Sequence, residues 1–266
     1  MRHLQFRPRG VDSSLVQQRT AITDELARLP AQPFAAMQVL RLVEDTRASS
    51  ADLARVIETD PALSARVMRL ANAPYYGLSG KVGSAARAVV LLGFSAVRAL
   101  AVSASSGLLA DEVDLGPTGF WSHSVVTAVS ASVVARYLGT PVSDAFSAGL
   151  LHDLGLALPG LSEEHGLDHA ELGGRALAAW RFPRAFVRAV ESHHMPPELV
   201  ADSLGRIVIA GEALGLRIQE SPFDEAETPV DEALEALSIP RSRLPQLTTE
   251  IERGVDRLAH FLGSAA

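Results

Sequence analysis

Apolar residues recur at steps of three and four along nearly the whole chain, and the alternation typical of β-strands is scarce. This pattern predicts a succession of amphipathic helices and therefore an all-α fold. A further apolar stretch, over 84–105, predicts two helices joined at Leu92-Gly93. The other predicted helices cover 16–29, 34–43, 119–138, 143–158, 169–180, 184–194 and 201–216.

Two short segments predict where helices begin. Ser49 and Ser50 precede an apolar-periodic stretch and supply hydroxyls that can cap a helix. Asp60-Pro61 combines an aspartate cap with a proline at the first helical position, where the missing N–H has no partner to lose. Pro74 is expected to end the helix that begins at Pro61.

Two loops predict the division of the chain. The segment 111–117 separates an N-terminal helical subdomain, 29–112, from a histidine-bearing one, 113–220. The acidic, proline-containing run 221–229 predicts a linker to a pair of C-terminal helices, so that 221–266 forms a short extension. Residues 1–28 are expected to form an N-terminal helical extension.

Composition excludes several classes of protein. The chain has no cysteine, which excludes disulfides and zinc–thiolate sites and favours a reducing compartment. A net charge of −7 argues against nucleic-acid binding, which requires a basic face. The most apolar stretch, around 89–100, is too short to cross a membrane, and no signal peptide is recognisable. We expect a soluble cytoplasmic protein.

Six of the eight histidines lie between His123 and His194. His152 continues a stripe of small residues that should face the interior, and His193 extends a second apolar stripe. A buried imidazole or carboxylate has to be hydrogen-bonded, ion-paired or bound to metal. Four separate segments supply side chains of these types, and the candidate residues are His123, His152, Asp153, His169, His193 and His194.

A series of short motifs runs in order along 29–216: Leu29-Pro30, Asp52-Leu-Ala, Asp60-Pro-Ala-Leu, Leu70-Ala-Asn72, Trp121-Ser-His123, Gly149-Leu-Leu-His-Asp-Leu-Gly155, His169-Ala-Glu-Leu-Gly173, Trp180-x-x-Pro183 and His193-His194. Together these motifs resemble the HDOD domain, a relative of the HD phosphohydrolases that serves as an output module in bacterial signalling. The resemblance implies an N-terminal helical subdomain packed on an HD-like helical bundle.

The resemblance also implies a metal site from which acidic residues are missing. Catalytic relatives add a late aspartate, and Gly211 stands at the position expected for it. Glu212 is adjacent, but one step along a helix turns a side chain by about 100°, so we expect it to point elsewhere. Met195 replaces an acidic residue that follows the paired histidines in the cyclic-dinucleotide hydrolases. Asp153 would then be the single carboxylate, which argues against a two-metal centre.

Three interpretations of the cluster remain open: a buried polar network, one bound divalent ion (Mn, Fe, Ni or Zn), or an active centre. The first two predict a non-catalytic signalling domain that acts by binding a protein partner or a nucleotide-like ligand. The third predicts a metal-dependent phosphohydrolase of nucleotides or cyclic dinucleotides. The missing acidic residues favour the non-catalytic function, with the cluster as a remnant site.

Overall fold

The structure is a computed structural model that describes residues 33–106, 120–157, 166–219 and 228–264. Within these ranges every regular element is a helix and none is a strand, which confirms the predicted all-α class. The α-helices are α1 (Pro33–Glu44), α2 (Ser50–Ile57), α3 (Pro61–Ala71), α4 (Ala85–Ser106), α5 (Phe120–Leu138), α6 (Val142–Leu151), α7 (His169–Ala179), α8 (Arg184–Glu191), α9 (Ser203–Gln219), α10 (Val230–Ala236) and α11 (Leu244–Ser264).

The predicted caps form as expected at α2 and α3. The Ser49 hydroxyl accepts a hydrogen bond from the Asp52 backbone, and the Asp52 side chain accepts one from the Ser49 backbone, which completes a capping box. The Asp60 carboxylate accepts from the Leu63 N–H at 2.8 Å, and Pro61 opens α3. Local sequence therefore fixes where these helices begin.

The predicted joint inside the 84–105 stretch is also confirmed. α4 is interrupted at Gly93, whose φ of 72° and ψ of 169° are not helical. A positive φ is strained for residues with a Cβ, so glycine is the residue suited to this break.

Two helices that lead into the histidine cluster end earlier than predicted. The helix predicted over 143–158 ends at Leu151, and a separate turn of 3₁₀-helix follows over Leu154–Ala157. The helix predicted over 184–194 ends at Glu191. In both places the periodic pattern continues into a turn that carries the polar residues of the cluster. The helix predicted over 16–29 lies outside the described residues.

The described helices share two hydrophobic cores. The first joins the N-terminal helices (α1–α4, residues 33–106) to side chains of α6, α7 and α8, among them Leu151, Leu177 and Phe186. The second joins α5 and α9 to the C-terminal helices α10 and α11 through residues such as Leu234 and Ile251. The N-terminal helices are thus packed onto the bundle, as predicted. Within the described part of the chain, no helix has the length and hydropathy needed to cross a membrane.

Glycines let α6 and α9 approach α5 closely. A Cβ placed on Gly149 of α6 would lie 3.0 Å from the Ala128 Cα, and one on Gly211 of α9 would lie 2.8 Å from the Ala131 nitrogen. Such distances are shorter than ordinary van der Waals contact, so both positions require glycine unless the helices move apart. The close approach packs α6 and α9 against the middle of α5.

Candidate metal centre

The six candidate residues lie at the ends of four helices. His123 lies in the first turn of α5, and His169 is the first residue of α7. His152 and Asp153 follow the last residue of α6, while His193 and His194 lie in the turn after α8. The helix termini therefore bring four distant segments to one point.

The Asp153 carboxylate lies at the centre of the cluster, with two imidazoles facing each oxygen. Oδ2 lies 3.2 Å from Nε2 of His152 and 3.4 Å from Nε2 of His123. Oδ1 lies 3.3 Å from Nε2 of His169 and 3.3 Å from Nε2 of His193. The carboxylate thus separates two groups of histidines.

His194 completes the second group. Its Nε2 lies 2.7 Å from Nε2 of His169, and the two rings meet edge to face with centroids 4.7 Å apart. All six side chains that the sequence singled out are therefore brought together. His165, which lies between two of them in the sequence, is outside the described residues.

The backbone fixes the tautomers of the two buried histidines. Nδ1 of His152 lies 2.8 Å from the Gly149 carbonyl, and Nδ1 of His193 lies 2.7 Å from the Val190 carbonyl. Because a carbonyl oxygen can only accept, Nδ1 carries the hydrogen in each ring. Nε2 is then the nitrogen that faces Asp153, and a metal-binding histidine is oriented in the same way when the backbone holds its other nitrogen.

Burial and charge act in opposite directions on this arrangement. Burial raises the pKa of the Asp153 carboxyl, but the coulombic effect of His152 and the hydrogen bonds that His123, His152 and His169 donate outweigh it and hold that pKa well below its usual range. Burial lowers the pKa of His193, so its ring is neutral near pH 7. Oδ1 of Asp153 and Nε2 of His193 therefore face each other without a hydrogen between them.

A seventh residue, Glu212 of α9, belongs to the same cluster. One of its carboxylate oxygens and a ring nitrogen each of His152 and His193 lie within 4.8 Å of one another. The expectation that Glu212 points elsewhere is wrong. Gly211 instead faces the backbone of α5, and the acidic side chain of α9 that lies in the cluster is the residue after it.

The spacing of two glycines in α9 could have predicted, from the sequence, which face of that helix Glu212 lies on. Gly215 lies four residues after Gly211, and its Cβ position is 3.3 Å from Cγ1 of Val126 on α5. Residues four apart share a helix face, so both glycines mark the face of α9 that packs on α5. Glu212 lies on the adjoining face, and its carboxylate lies near the ring nitrogens of His152 and His193.

The cluster offers a chemically suitable set of ligands for divalent ions. Its side chains form three overlapping groups, each compact enough to hold an ion, and Asp153 belongs to two of them. Imidazole nitrogens and carboxylate oxygens suit Zn, Mn, Fe or Ni. Cations would also relieve the repulsion between facing lone pairs. The groups are Asp153, His169, His193 and His194; His123, His152 and Asp153; and His152, His193 and Glu212.

Solved structures share this fold over most of the chain. The response regulator MmoQ of Methylococcus capsulatus is 27% identical, with a TM-score of 0.64 over 83% of this chain and 97% of that one. A virulence factor of Campylobacter jejuni is 15% identical, with a TM-score of 0.68 over 91% of this chain and 96% of that one, and shows likeness of fold alone.

The proteins that are similar in sequence are longer than this chain. Ribonuclease Y of Enterococcus faecalis is 35% identical over 95 residues, which cover 35% of this chain and 17% of that protein. An uncharacterized protein of Treponema pallidum is 23% identical over 289 residues, 97% of this chain and 54% of that protein. The chain therefore spans about half of the Treponema protein and a smaller share of the ribonuclease.

Two family models match the chain. The HD domain model covers residues 120–222, which include all seven residues of the cluster. The HDOD domain model covers residues 29–164, just over half of the chain. Together with the helical architecture, this match shows that the chain belongs to the HDOD family.

Proposed function

We propose that this protein is a divalent-metal-dependent phosphohydrolase whose substrates are nucleotides or cyclic dinucleotides. The observation that carries the proposal is the Asp153 carboxylate, each oxygen of which faces two imidazole nitrogens. The sequence favoured a non-catalytic protein because acidic residues are missing at Gly211 and Met195. Glu212 offers a carboxylate beside His152 and His193, which weakens the argument from Gly211.

The two carboxylates also change the charge argument against two ions. Closely spaced divalent ions repel each other and are normally held by carboxylates. Asp153 offers one oxygen to each histidine group, and Glu212 lies beside His152 and His193. The ligand set therefore supports one ion on either side of Asp153.

The chain's own residues would bind and orient the reactants. A divalent ion, when bound, supplies Lewis-acid activation of a phosphoryl oxygen and of water. His152 and His193 are buried and locked by the backbone, so they serve as fixed ligands. His169 has 24% of its side chain exposed and lies on the solvent side of the cluster, where a substrate phosphate would approach.

Metal content and turnover, measured on the same preparations, test this proposal. The purified protein should contain stoichiometric metal by elemental analysis and should cleave a chromogenic phosphodiester or a cyclic dinucleotide when manganese is added. Asp153→Asn, which keeps the size of the side chain, should abolish both. Asp231→Asn, at a surface aspartate paired with Arg241, is the matched control and should retain both. A folded wild-type protein that contains no metal and ignores added manganese would contradict the proposal.

A regulatory function without turnover is the second candidate. It is favoured by membership of the HDOD family and by the 27% identity to MmoQ, a response regulator. In this function the cluster would hold an ion that stabilises the bundle, and the protein would act by binding a partner or a small ligand. A purified protein that contains stoichiometric metal but cleaves neither the chromogenic phosphodiester nor the cyclic dinucleotide would favour this candidate over the first.

A further inference from the structure

One loop of the N-terminal helices touches both helices that lead into the candidate metal centre. A Cβ on Gly83 would lie 2.9 Å from Cε2 of Phe186 and 3.2 Å from Oδ2 of Asp144. Asp144 lies in the first turn of α6, which ends at His152 and Asp153, and Phe186 lies in the first turn of α8, which leads to His193 and His194. We name Gly83, Asp144 and Phe186 the Gly83 junction.

The loop is held firmly to the N-terminal helices. Nδ2 of the buried Asn72 donates to the Val82 carbonyl at 2.8 Å, and the Val82 N–H donates to Oδ1 of Asn72 at 3.1 Å. On the other side, the Ser84 hydroxyl accepts from the Arg87 N–H at the start of α4. Gly83, which lies between these anchors, must therefore follow any displacement of α3 and α4.

The two helices beyond the junction can transmit such a displacement. α6 has ten residues and α8 has eight, so each is a short rod between the junction and the cluster. The ring of His152 is bonded to Gly149 and that of His193 to Val190, so each ring is oriented by the last turn of its own helix. Closely packed interiors transmit displacement because they contain few voids.

We propose that the N-terminal helices regulate the metal affinity of the cluster through the Gly83 junction. The inference rests on the metal site of the proposed function and adds a control point outside it. A partner or ligand that shifts α3 and α4 would move the starts of α6 and α8, and with them the ring nitrogens on both sides of Asp153. Since coupling is reciprocal, metal binding also tightens the junction.

The variant Gly83→Ala tests this coupling, because its Cβ has to displace Phe186 or Asp144. Gly254→Ala is the control, since its Cβ on the C-terminal helix α11 meets Cγ1 of Val129 at 2.7 Å, a collision with a side chain of similar closeness. Two quantities are measured: manganese affinity by calorimetry, and amide hydrogen exchange over 149–153 and 190–194 in protein without added metal. Gly83→Ala should weaken manganese binding about fivefold or more and should speed exchange in both segments, whereas Gly254→Ala should change neither.

Phe186→Leu provides a second route if Gly83→Ala does not fold, because it removes the ring atom that lies nearest to the Cβ position of Gly83 and leaves an apolar side chain in the core. Wild-type exchange over 149–153 and 190–194 in the folded junction variant would overturn the inference, as would an equal effect of Gly254→Ala. The exchange measurement needs neither metal nor turnover. A protein that lacks phosphohydrolase activity would thus refute the proposed function without deciding the coupling.

Discussion

Oδ1 of Asp153 lies 3.3 Å from Nε2 of His193, and both atoms present lone pairs to each other. The Val190 carbonyl holds the only hydrogen of the neutral His193 ring on Nδ1, and the carboxyl is ionised because its pKa is held well below the usual range. Two facing acceptors in a buried site repel each other unless a cation lies between them. A cation bound between these two atoms would therefore stabilise the folded protein directly at this contact.

Asp153→Asn should therefore separate stability from metal binding. The amide can turn an N–H toward an imidazole lone pair and replace a repulsive contact with a hydrogen bond, worth about 1 kcal/mol. We expect the chelator-treated variant to melt at or above the temperature of the chelator-treated wild type. Added manganese should raise the melting temperature of the wild type only. A variant that melts well below the metal-free wild type would contradict this account of the contact.

Glu212→Gln should weaken metal binding while the fold stays intact. The amide has the shape of the carboxylate but lacks its charge, and Glu212 lies with His152 and His193 in one of the candidate groups. We expect manganese affinity to fall by about tenfold or more, by analogy with the loss of groups that support metal ligands. Glu198→Gln, at an exposed glutamate of the 3₁₀-helix Pro197–Leu199, is the control for charge alone. Equal affinities of the two variants in calorimetry would remove Glu212 from the site.

Substitutions at Gly211 and Gly215 should show how tightly α9 packs on α5. An added Cβ at Gly211 meets backbone atoms of Ala131 at 2.8 and 2.9 Å, which cannot move without the helix. Gly211→Ala should lower the free energy of unfolding by about 1–3 kcal/mol, the usual cost of overpacking. At Gly215 the nearest atom is a side-chain methyl at 3.3 Å, so the collision is milder and better helix propensity offsets it. Urea unfolding should therefore show a clearly lower free energy of unfolding for Gly211→Ala and a nearly unchanged one for Gly215→Ala.

Much of the fold follows from local chemistry that is visible in the sequence. The Ser49 and Asp60 caps and the break at Gly93 depend on residues within a few positions of each other, so the sequence was enough to predict them. The order of the histidines likewise indicated that they converge. The direction of Glu212 depends on how α9 is rotated against α5, which is set by packing between residues about eighty positions apart. Helical periodicity alone does not determine that rotation, which is why Glu212 was expected to point elsewhere.

Glu58 should make stability depend on pH independently of the metal centre. Burial raises the pKa of its carboxyl to about 7, although a hydrogen bond from the Ala86 backbone acts to lower it. The folded state therefore keeps this proton at pH values where the unfolded chain, with a carboxyl pKa near 4.5, has lost it. Stability should accordingly fall as pH rises from about 4.5 to about 7, by about 1–3 kcal/mol. In Glu58→Gln this contribution disappears, so urea midpoints measured in chelator across that window should decline less than in the wild type. Parallel pH profiles of the two proteins would show that the carboxyl titrates normally in the folded state.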